Sequence, residues 1–188
     1  MARTVFRTPL IAPLLRGLAR LLLALSGWRV VGEIPRLQRF VLIGAPHTSN
    51  WDFILMLLAI LTARLDVHWM GKDSLFPAPV GGLMRWLGGI PIDRSKPSGV
   101  VAQMVERYAE TDALIVLIPP EGTRSRVERW KTGFYHIAAG AEVPIVLGYI
   151  DASRKELGFG PAYQPSGDIE RDLPEIQHFY HDKRGLRR

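Results

Sequence analysis

The chain has 188 residues, a formal net charge of +6 and no cysteine. Its length suits one domain with a single hydrophobic core, and 47% of apolar residues excludes a disordered chain. The excess of Lys and Arg favours an anionic partner such as phospholipid head groups, a phosphorylated substrate or nucleic acid, while the lack of cysteine excludes disulfides, thiolate metal sites and cysteine nucleophiles.

The first predicted element is a basic amphipathic helix within residues 9–28. On a helical wheel Arg16 and Arg20 lie opposite a side that is rich in leucine. That side contains Leu10, Ile11, Leu14, Leu15, Leu18, Leu21, Leu22 and Leu25. The helix begins or bends at Pro13, and the two arginines disfavour both a membrane span and a signal peptide. We therefore expect residues 1–34 to bind a membrane interface, with a helix that only covers the core as the alternative.

Residues 35–188 have the pattern of an α/β domain, in which short apolar runs alternate with helical segments. This pattern predicts a mostly parallel central sheet flanked by helices, with a motif-bearing core at 35–150 and an extension at 151–188. The predicted strands cover residues 40–45, 67–70, 90–93, 114–118 and 143–150. The predicted helices cover residues 51–63, 79–87, 95–108 with Ser95 as cap and Pro97 in the first turn, 130–141 and 168–181.

Polar side chains follow the first and third predicted strands, and ligands of open α/β sheets bind where strands give way to loops. His47 in a turn can offer one ring nitrogen to a substrate while the carboxylate of Asp52 orients the other, which is a catalytic triad without its serine. A substrate hydroxyl can then serve as the nucleophile. The alternative is an ordinary helix-start acid beside a hydrogen-bonded turn histidine. Arg94 can clamp a phosphate with two parallel hydrogen bonds, unless it only pairs with Asp93 at the surface.

A third polar motif, residues 119–125, follows the clearest core strand. Gly122 permits an unusual backbone turn, and Arg124 offers a planar cation. Glu121 could hold that cation in place or accept a hydrogen bond from a substrate hydroxyl. Thr123 and Ser125 add hydroxyl groups. A plain turn with solvated charges is the alternative interpretation.

Together these motifs resemble the glycerolipid acyltransferases that include lysophosphatidate acyltransferase. The family pattern runs from His-x-x-x-x-Asp through Ile-Asp-Arg and Pro-Glu-Gly-Thr-Arg-Ser to a Val-Pro-Ile strand, and all four motifs occur here in that order. They lie at residues 47–52, 92–94, 120–125 and 143–145. Lys72 and Lys131 resemble intervening positions of the family, and the resemblance covers about residues 35–150.

The resemblance implies an O-acyltransferase that moves a fatty acyl group from acyl-CoA or acyl-ACP to a lysophospholipid, in the first instance 1-acylglycerol-3-phosphate, which gives phosphatidic acid. It implies that His47 takes the proton of the acceptor hydroxyl and that Asp52 holds the imidazole, with no acyl-enzyme, metal or cofactor. The remaining implied substrate contacts are Arg94, Glu121, Gly122, Thr123, Arg124, Ser125, Lys72, Lys131 and, in the strand at 143–145, Pro144.

Three prolines depart from the family pattern next to the expected acceptor pocket: Pro46, Pro91 and Pro119. The acceptor could therefore be another lyso-lipid, such as a lyso-ornithine lipid or a glycolipid. A non-catalytic membrane-binding module is a competing function from another class.

Two further functions are disfavoured by the sequence. Hydrolysis would need an activated water, and the five histidines show no convincing metal-ligand spacing. The basic tail with Arg184, Arg187 and Arg188 lacks an aromatic stacking platform, so we expect no nucleic-acid partner.

We expect a peripheral or monotopic membrane protein at the cytoplasmic face.

Overall fold

Within the described residues, 3–95, 99–122 and 129–187, seven strands of the computed structural model form one sheet in the order β1-β7-β6-β2-β5-β3-β4. The strands are β1 Arg29–Gly32, β2 Arg39–Ala45, β3 Val67–Lys72, β4 Gly89–Ile92, β5 Leu114–Ile118, β6 Ile145–Asp151 and β7 Glu156–Tyr163.

The central strands of the sheet are parallel. β2 pairs in parallel with β5 on one side and with β6 on the other, and β3 and β4 continue the parallel order beyond β5. β7 is antiparallel to β6 and parallel to β1. Because both faces of the sheet are covered, Phe40 to Ile43 in β2 are completely buried. The carboxyl ends of β2 to β6 therefore meet at one edge, and the described parts of the polar motifs that follow β2, β4 and β5 lie there.

Helices cover both faces of this sheet. The helices are α1 Ile11–Ser26, α2 Asn50–Ala63, α3 Val80–Trp86, α4 Gly99–Ala109, α5 Gly133–Gly140 and α6 Ile169–His178, with short 3-10 helices at Val5–Arg7 and Asp73–Leu75. Leu23 of α1 and Ala59 of α2 join one core cluster, which includes Phe40 and Leu42. Met104 of α4 and Ile137 of α5 join a second cluster on the opposite face.

The leucine-rich side of α1 faces outward. The buried residues of α1 are the small Ala12 and Ala19 together with Leu23, whereas Leu14 and Leu25 are 73% and 76% exposed. Because α1 packs against α2, the alanine side meets the protein and the leucine side is left open. Among the described residues, no helix combines the length and the apolar character that a membrane crossing requires.

The predicted α/β fold is confirmed, but two strands were not predicted. β7 contains Gly158, Gly160 and Pro161, which are typical of loops. Both glycines are required by packing, because a Cβ at Gly158 would lie 2.3 Å from the ring of Tyr149 and one at Gly160 would lie 2.4 Å from the ring of Phe179. β1 lies inside the segment at 1–34 and has only four residues.

Helix starts also differ from the sequence prediction. α5 begins at Gly133 rather than at residue 130, because Lys131 still belongs to the preceding loop and donates its backbone N–H to the carbonyl of Pro120 at 2.8 Å. The described part of α4 begins at Gly99, and the predicted first-turn Pro97 lies outside the described residues.

Candidate active site

The start of α2 fixes the carboxylate of Asp52. Ser49 is the N-cap and accepts a hydrogen bond from the backbone N–H of Trp51 at 3.2 Å. The Asp52 carboxylate in turn accepts hydrogen bonds from the backbone N–H groups of Ser49, at 2.6 Å, and Thr48. This reciprocal capping box holds a side chain that is only 2% exposed. The orientation of Asp52 is therefore set by the helix start.

His47 lies beside this buried carboxylate. Its Nδ1 is 3.5 Å from Oδ2 of Asp52, and its side chain remains 25% exposed. The separation is long for a hydrogen bond, but catalytic contacts are often long without substrate and shorten in the reacting complex. One edge of the imidazole thus faces a fixed carboxylate while part of the ring remains open to a cleft. Such a pair can act as a general base with its orienting group.

Glu121 connects the loop after β5 to the same histidine. Its Oε2 accepts a hydrogen bond from the backbone N–H of His47 at 2.8 Å. Burial raises the pKa of Glu121, the nearby charge of Asp52 raises it further, and the His47 N–H partly offsets both. His47 therefore contacts two carboxylates: Asp52 lies beside its side chain, and Glu121 binds its backbone N–H.

Lys131 packs against the glycine of the third motif. Gly122 has a φ of +63°, and a Cβ there would lie 2.7 Å from Cδ of Lys131. The contact brings the Lys131 side chain to the loop that carries Glu121. The structure thus brings together His47, Asp52, Glu121, Gly122 and Lys131, whereas Thr123, Arg124 and Ser125 lie outside the described residues.

Lys72 and Arg94 lie further along the same edge of the sheet. Lys72 pairs in register with Ile92, two residues before Arg94, and both side chains are exposed. Since neighbouring strands lie ~4.8 Å apart, the end of β4 is roughly 14 Å from the end of β2. These two cations therefore lie beyond β5, at the ends of β3 and β4, and do not line the cleft at His47.

Pro144 lies at the opposite edge of the sheet. Its carbonyl accepts a hydrogen bond from Val41 at the start of β2, at 3.0 Å, whereas His47 follows the end of that strand. The β6 residue that pairs with Ala45 is Tyr149. The structure therefore does not bring Pro144 to His47, because β6 is parallel to β2 and Pro144 precedes it.

A comparison with known protein families shows to which family the chain belongs. The model of the family described as Acyltransferase matches residues 29–149, which include both carboxylates and the histidine. The chain belongs to the Acyltransferase family. It is accordingly an acyltransferase enzyme.

The fold of this acyltransferase is similar to that of a solved relative. The crystal structure of the 1-acyl-sn-glycerophosphate (LPA) acyltransferase PlsC from Thermotoga maritima aligns with a TM-score of 0.62 and 19% sequence identity. The alignment covers 90% of this chain and 76% of that chain. At this identity the likeness shows the fold. No curated protein matches the sequence at a significant level.

Residues beyond the family match form one wall of the acyltransferase cleft. The cleft at His47 has a volume of about 1260 Å³. Its lining includes Thr48 and Glu121 together with residues from the end of α6 to Arg187. The backbone N–H of Arg187 donates to Oγ1 of Thr48 at 3.1 Å. Sequence reasoning missed this wall, and the only signal for it was the run of cations at 183–187.

A buried carboxylate anchors α6 beneath this wall. Asp172 accepts hydrogen bonds from the hydroxyl of Tyr135 at 2.8 Å and from both the backbone N–H and the hydroxyl of Ser166, at 2.7 and 2.8 Å. Burial alone would raise the pKa of Asp172, but these hydrogen bonds outweigh it and lower the pKa to about 2. The helix that leads into the C-terminal wall is thus fixed to α5.

Proposed function

We propose that this acyltransferase moves a fatty acyl group from an acyl thioester, acyl-CoA or acyl-ACP, to the free hydroxyl of a lysophospholipid. With 1-acylglycerol-3-phosphate as acceptor, the product is phosphatidic acid. The observation that carries the proposal is the buried carboxylate of Asp52 at 3.5 Å from Nδ1 of a partly exposed His47 in an open cleft. The named activity of the similar PlsC structure agrees with this assignment.

The proposed reaction needs no enzyme nucleophile. The imidazole of His47 takes the proton from the acceptor hydroxyl, and the oxygen attacks the thioester carbonyl. The tetrahedral intermediate collapses when the C–S bond breaks, and the thiolate leaves with the proton from the imidazolium. An ester and a free thiol result. Asp52 orients the imidazole and stabilises its positive charge while the proton resides there.

The cations of the site support an acceptor that carries phosphate. Lys72 and Arg94 lie over β3 and β4, and Lys131 lies against the loop after β5. Arginine binds phosphate through two parallel hydrogen bonds, whereas lysine acts as a point charge. In the proposal these side chains, together with Arg124 and the hydroxyls of Thr123 and Ser125, hold the acceptor's phosphate while its hydroxyl reaches His47.

The exposed apolar side chains of three helices support the proposal that the protein binds a membrane surface. Five leucines of α1 are exposed, as are Trp51, Phe53 and Ile54 of α2 and Leu83 of α3. α1 packs on α2, and Trp86 of α3 joins the same core layer, so these side chains belong to one layer of the molecule. Exposed apolar patches on soluble proteins mark interaction sites, and lysophospholipids reside in bilayers. We propose a peripheral or monotopic protein that docks through this layer at the cytoplasmic face.

An assay with several acceptors tests the proposed function. Purified protein and vesicles are incubated with a labelled acyl thioester and, separately, with 1-acylglycerol-3-phosphate, lysophosphatidylcholine or a lyso-ornithine lipid. We expect label in phosphatidic acid above the label in any other product. Preferential acylation of the lyso-ornithine lipid would overturn the acceptor and keep the chemistry. Failure to acylate any lyso-lipid with either donor would overturn the function.

A further inference from the structure

The C-terminal wall of the cleft carries three cations: Lys183, Arg184 and Arg187. Among the described residues that line this cleft, Glu121 is the one acidic side chain. The excess of positive charge faces the same space as His47. A cleft with this balance of charge attracts an anionic group.

The backbone of the wall is held in place. The carbonyl of Arg184 accepts a hydrogen bond from the backbone N–H of Ala152 at 2.7 Å, directly after β6. The backbone N–H of Arg187 donates to Thr48, next to the catalytic histidine, and Gly185 packs against the Thr48 side chain so closely that a Cβ there would lie 2.5 Å from Cγ2. The two arginines are therefore positioned at the cleft by main-chain contacts.

The side chains of Arg184 and Arg187 differ from that of Lys183 in their contacts. Lys183 forms an ion pair with Asp182 at 2.6 Å and lies 5.0 Å from the ring centroid of Tyr149. In contrast, the exposed guanidinium groups of Arg184 and Arg187 make no hydrogen bond or ion pair to any other residue that the structure describes. Both remain available to a ligand, and a pair of guanidinium groups suits the oxygens of a phosphate ester.

The wall lies on the other side of His47 from the cations proposed for the acceptor. β2, which leads into His47, is central, with β5, β3 and β4 on one side and β6, β7 and β1 on the other. Lys72 and Arg94 belong to the first side, and the wall continues from the end of β6 on the second. Two substrates must meet at one imidazole in the proposed reaction, so each side can receive one of them.

We propose that Arg184 and Arg187 bind the phosphate groups of the acyl donor's carrier. The shared chemistry is a phosphate ester, present as nucleotide phosphates in acyl-CoA and as the phosphopantetheine phosphodiester in acyl-ACP. The donor enters over β6 while the acceptor lies over β3 and β4. This assignment rests on the proposed function, and it gives the residues beyond the family match a role in binding one substrate.

Direct binding and steady-state kinetics test the proposal. The double variant Arg184→Gln/Arg187→Gln is compared with the wild type and with Arg171→Gln, which removes an exposed arginine of α6 outside the cleft. Calorimetry measures the Kd of coenzyme A and of holo-ACP, and kinetics measure KM for donor and acceptor. Loss of two charge-assisted contacts should raise the donor carrier's Kd and KM roughly tenfold or more, with the acceptor's KM within about twofold. Arg171→Gln should behave as the wild type.

Other outcomes would overturn the proposal. A rise in the acceptor's KM with unchanged carrier binding would assign the two arginines to the lipid head group. Unchanged binding of both carriers, or no binding of either carrier by the wild type, would also overturn it. Thermal unfolding equal to that of Arg171→Gln shows that the double variant is folded. Carrier binding requires no acyl transfer. Carrier binding by the wild type that is lost in the double variant, together with no acylated product from the wild type, would therefore sustain this inference while refuting the proposed function.

Discussion

At the scale of single residues, the positions of His47 and Asp52 follow from local sequence. Ser49 and Asp52 have the spacing of a capping box, so the carboxylate had to return towards the turn that carries the histidine. The approach of Glu121 to the backbone of His47 was not predictable, because 74 residues separate them in the chain. The contact between Lys131 and Gly122 was not predictable either, because neither residue lies in a helix or strand.

The ionisation of Glu121 should make the stability of the protein depend on pH. Since its pKa is raised by burial and by Asp52, the folded protein binds this proton more tightly than the unfolded chain does. The carboxyl group therefore favours folding below its unfolded pKa, and that contribution is lost as the pH rises through the folded pKa. Glutamine cannot titrate but can still accept the hydrogen bond of His47. We expect the free energy of unfolding of the wild type, relative to Glu121→Gln, to fall as pH rises from about 4.5.

Urea denaturation at a series of pH values checks this expectation. Glu110→Gln, which removes an exposed carboxylate near the end of α4, serves as the matched control. A wild type that gains stability over Glu121→Gln as pH rises would contradict the assigned environment of Glu121.

At the scale of elements, continuous apolar runs were enough to place β2 and β5. β7 could not be placed from the sequence, because it is rich in glycine and the rings of Tyr149 and Phe179 that require these glycines belong to other elements. β1 could not be placed because it has only four residues. Motif order alone did not show that Pro144 lies at the far edge, although the predicted parallel direction of β6 places it there. Leu23, which is not among the leucines of the predicted apolar side, is one of the three buried residues of α1.

The leucine side of α1 carries an element-scale prediction. Leu14 and Leu18 are 73% and 49% exposed, so replacing both with serine should leave the core intact. Full burial of a leucine in an apolar phase contributes about 1.5–3 kcal/mol, so the double variant should bind vesicles at least roughly tenfold more weakly. Vesicle sedimentation measures this binding.

Leu37→Ser is the control for the vesicle measurement. Leu37 is 41% exposed but lies in the loop before β2, at the edge of the sheet where that strand begins. Equal vesicle binding by the wild type and by Leu14→Ser/Leu18→Ser, or equal loss in Leu37→Ser, would contradict docking through α1.

At the scale of the whole molecule, the site is built where distant parts of the chain meet. β2 delivers His47 to the centre of the parallel edge, β5 delivers Glu121, and the residues after α6 return to Thr48 from 139 positions away. Sequence motifs predicted the family and the proximity of His47 to Asp52, because those features are local. The cationic wall could not be predicted, since a run of basic residues near residue 187 gives no indication of the surface that it contacts.

The rate of acyl transfer after mutation of His47 or Asp52 tests whether these two residues act as the general base and its orienting group. Single-turnover rates are measured for the wild type, His47→Ala and Asp52→Asn, with thermal unfolding and vesicle binding as checks of folding and docking. Asparagine keeps an oxygen that can accept the hydrogen bonds of Thr48 and Ser49, but it lacks the charge that stabilises the imidazolium. General-base catalysis typically contributes about 10²–10⁴-fold, so we predict losses of that order for His47→Ala and a large loss for Asp52→Asn. Near-normal transfer by folded, vesicle-bound His47→Ala would contradict the account.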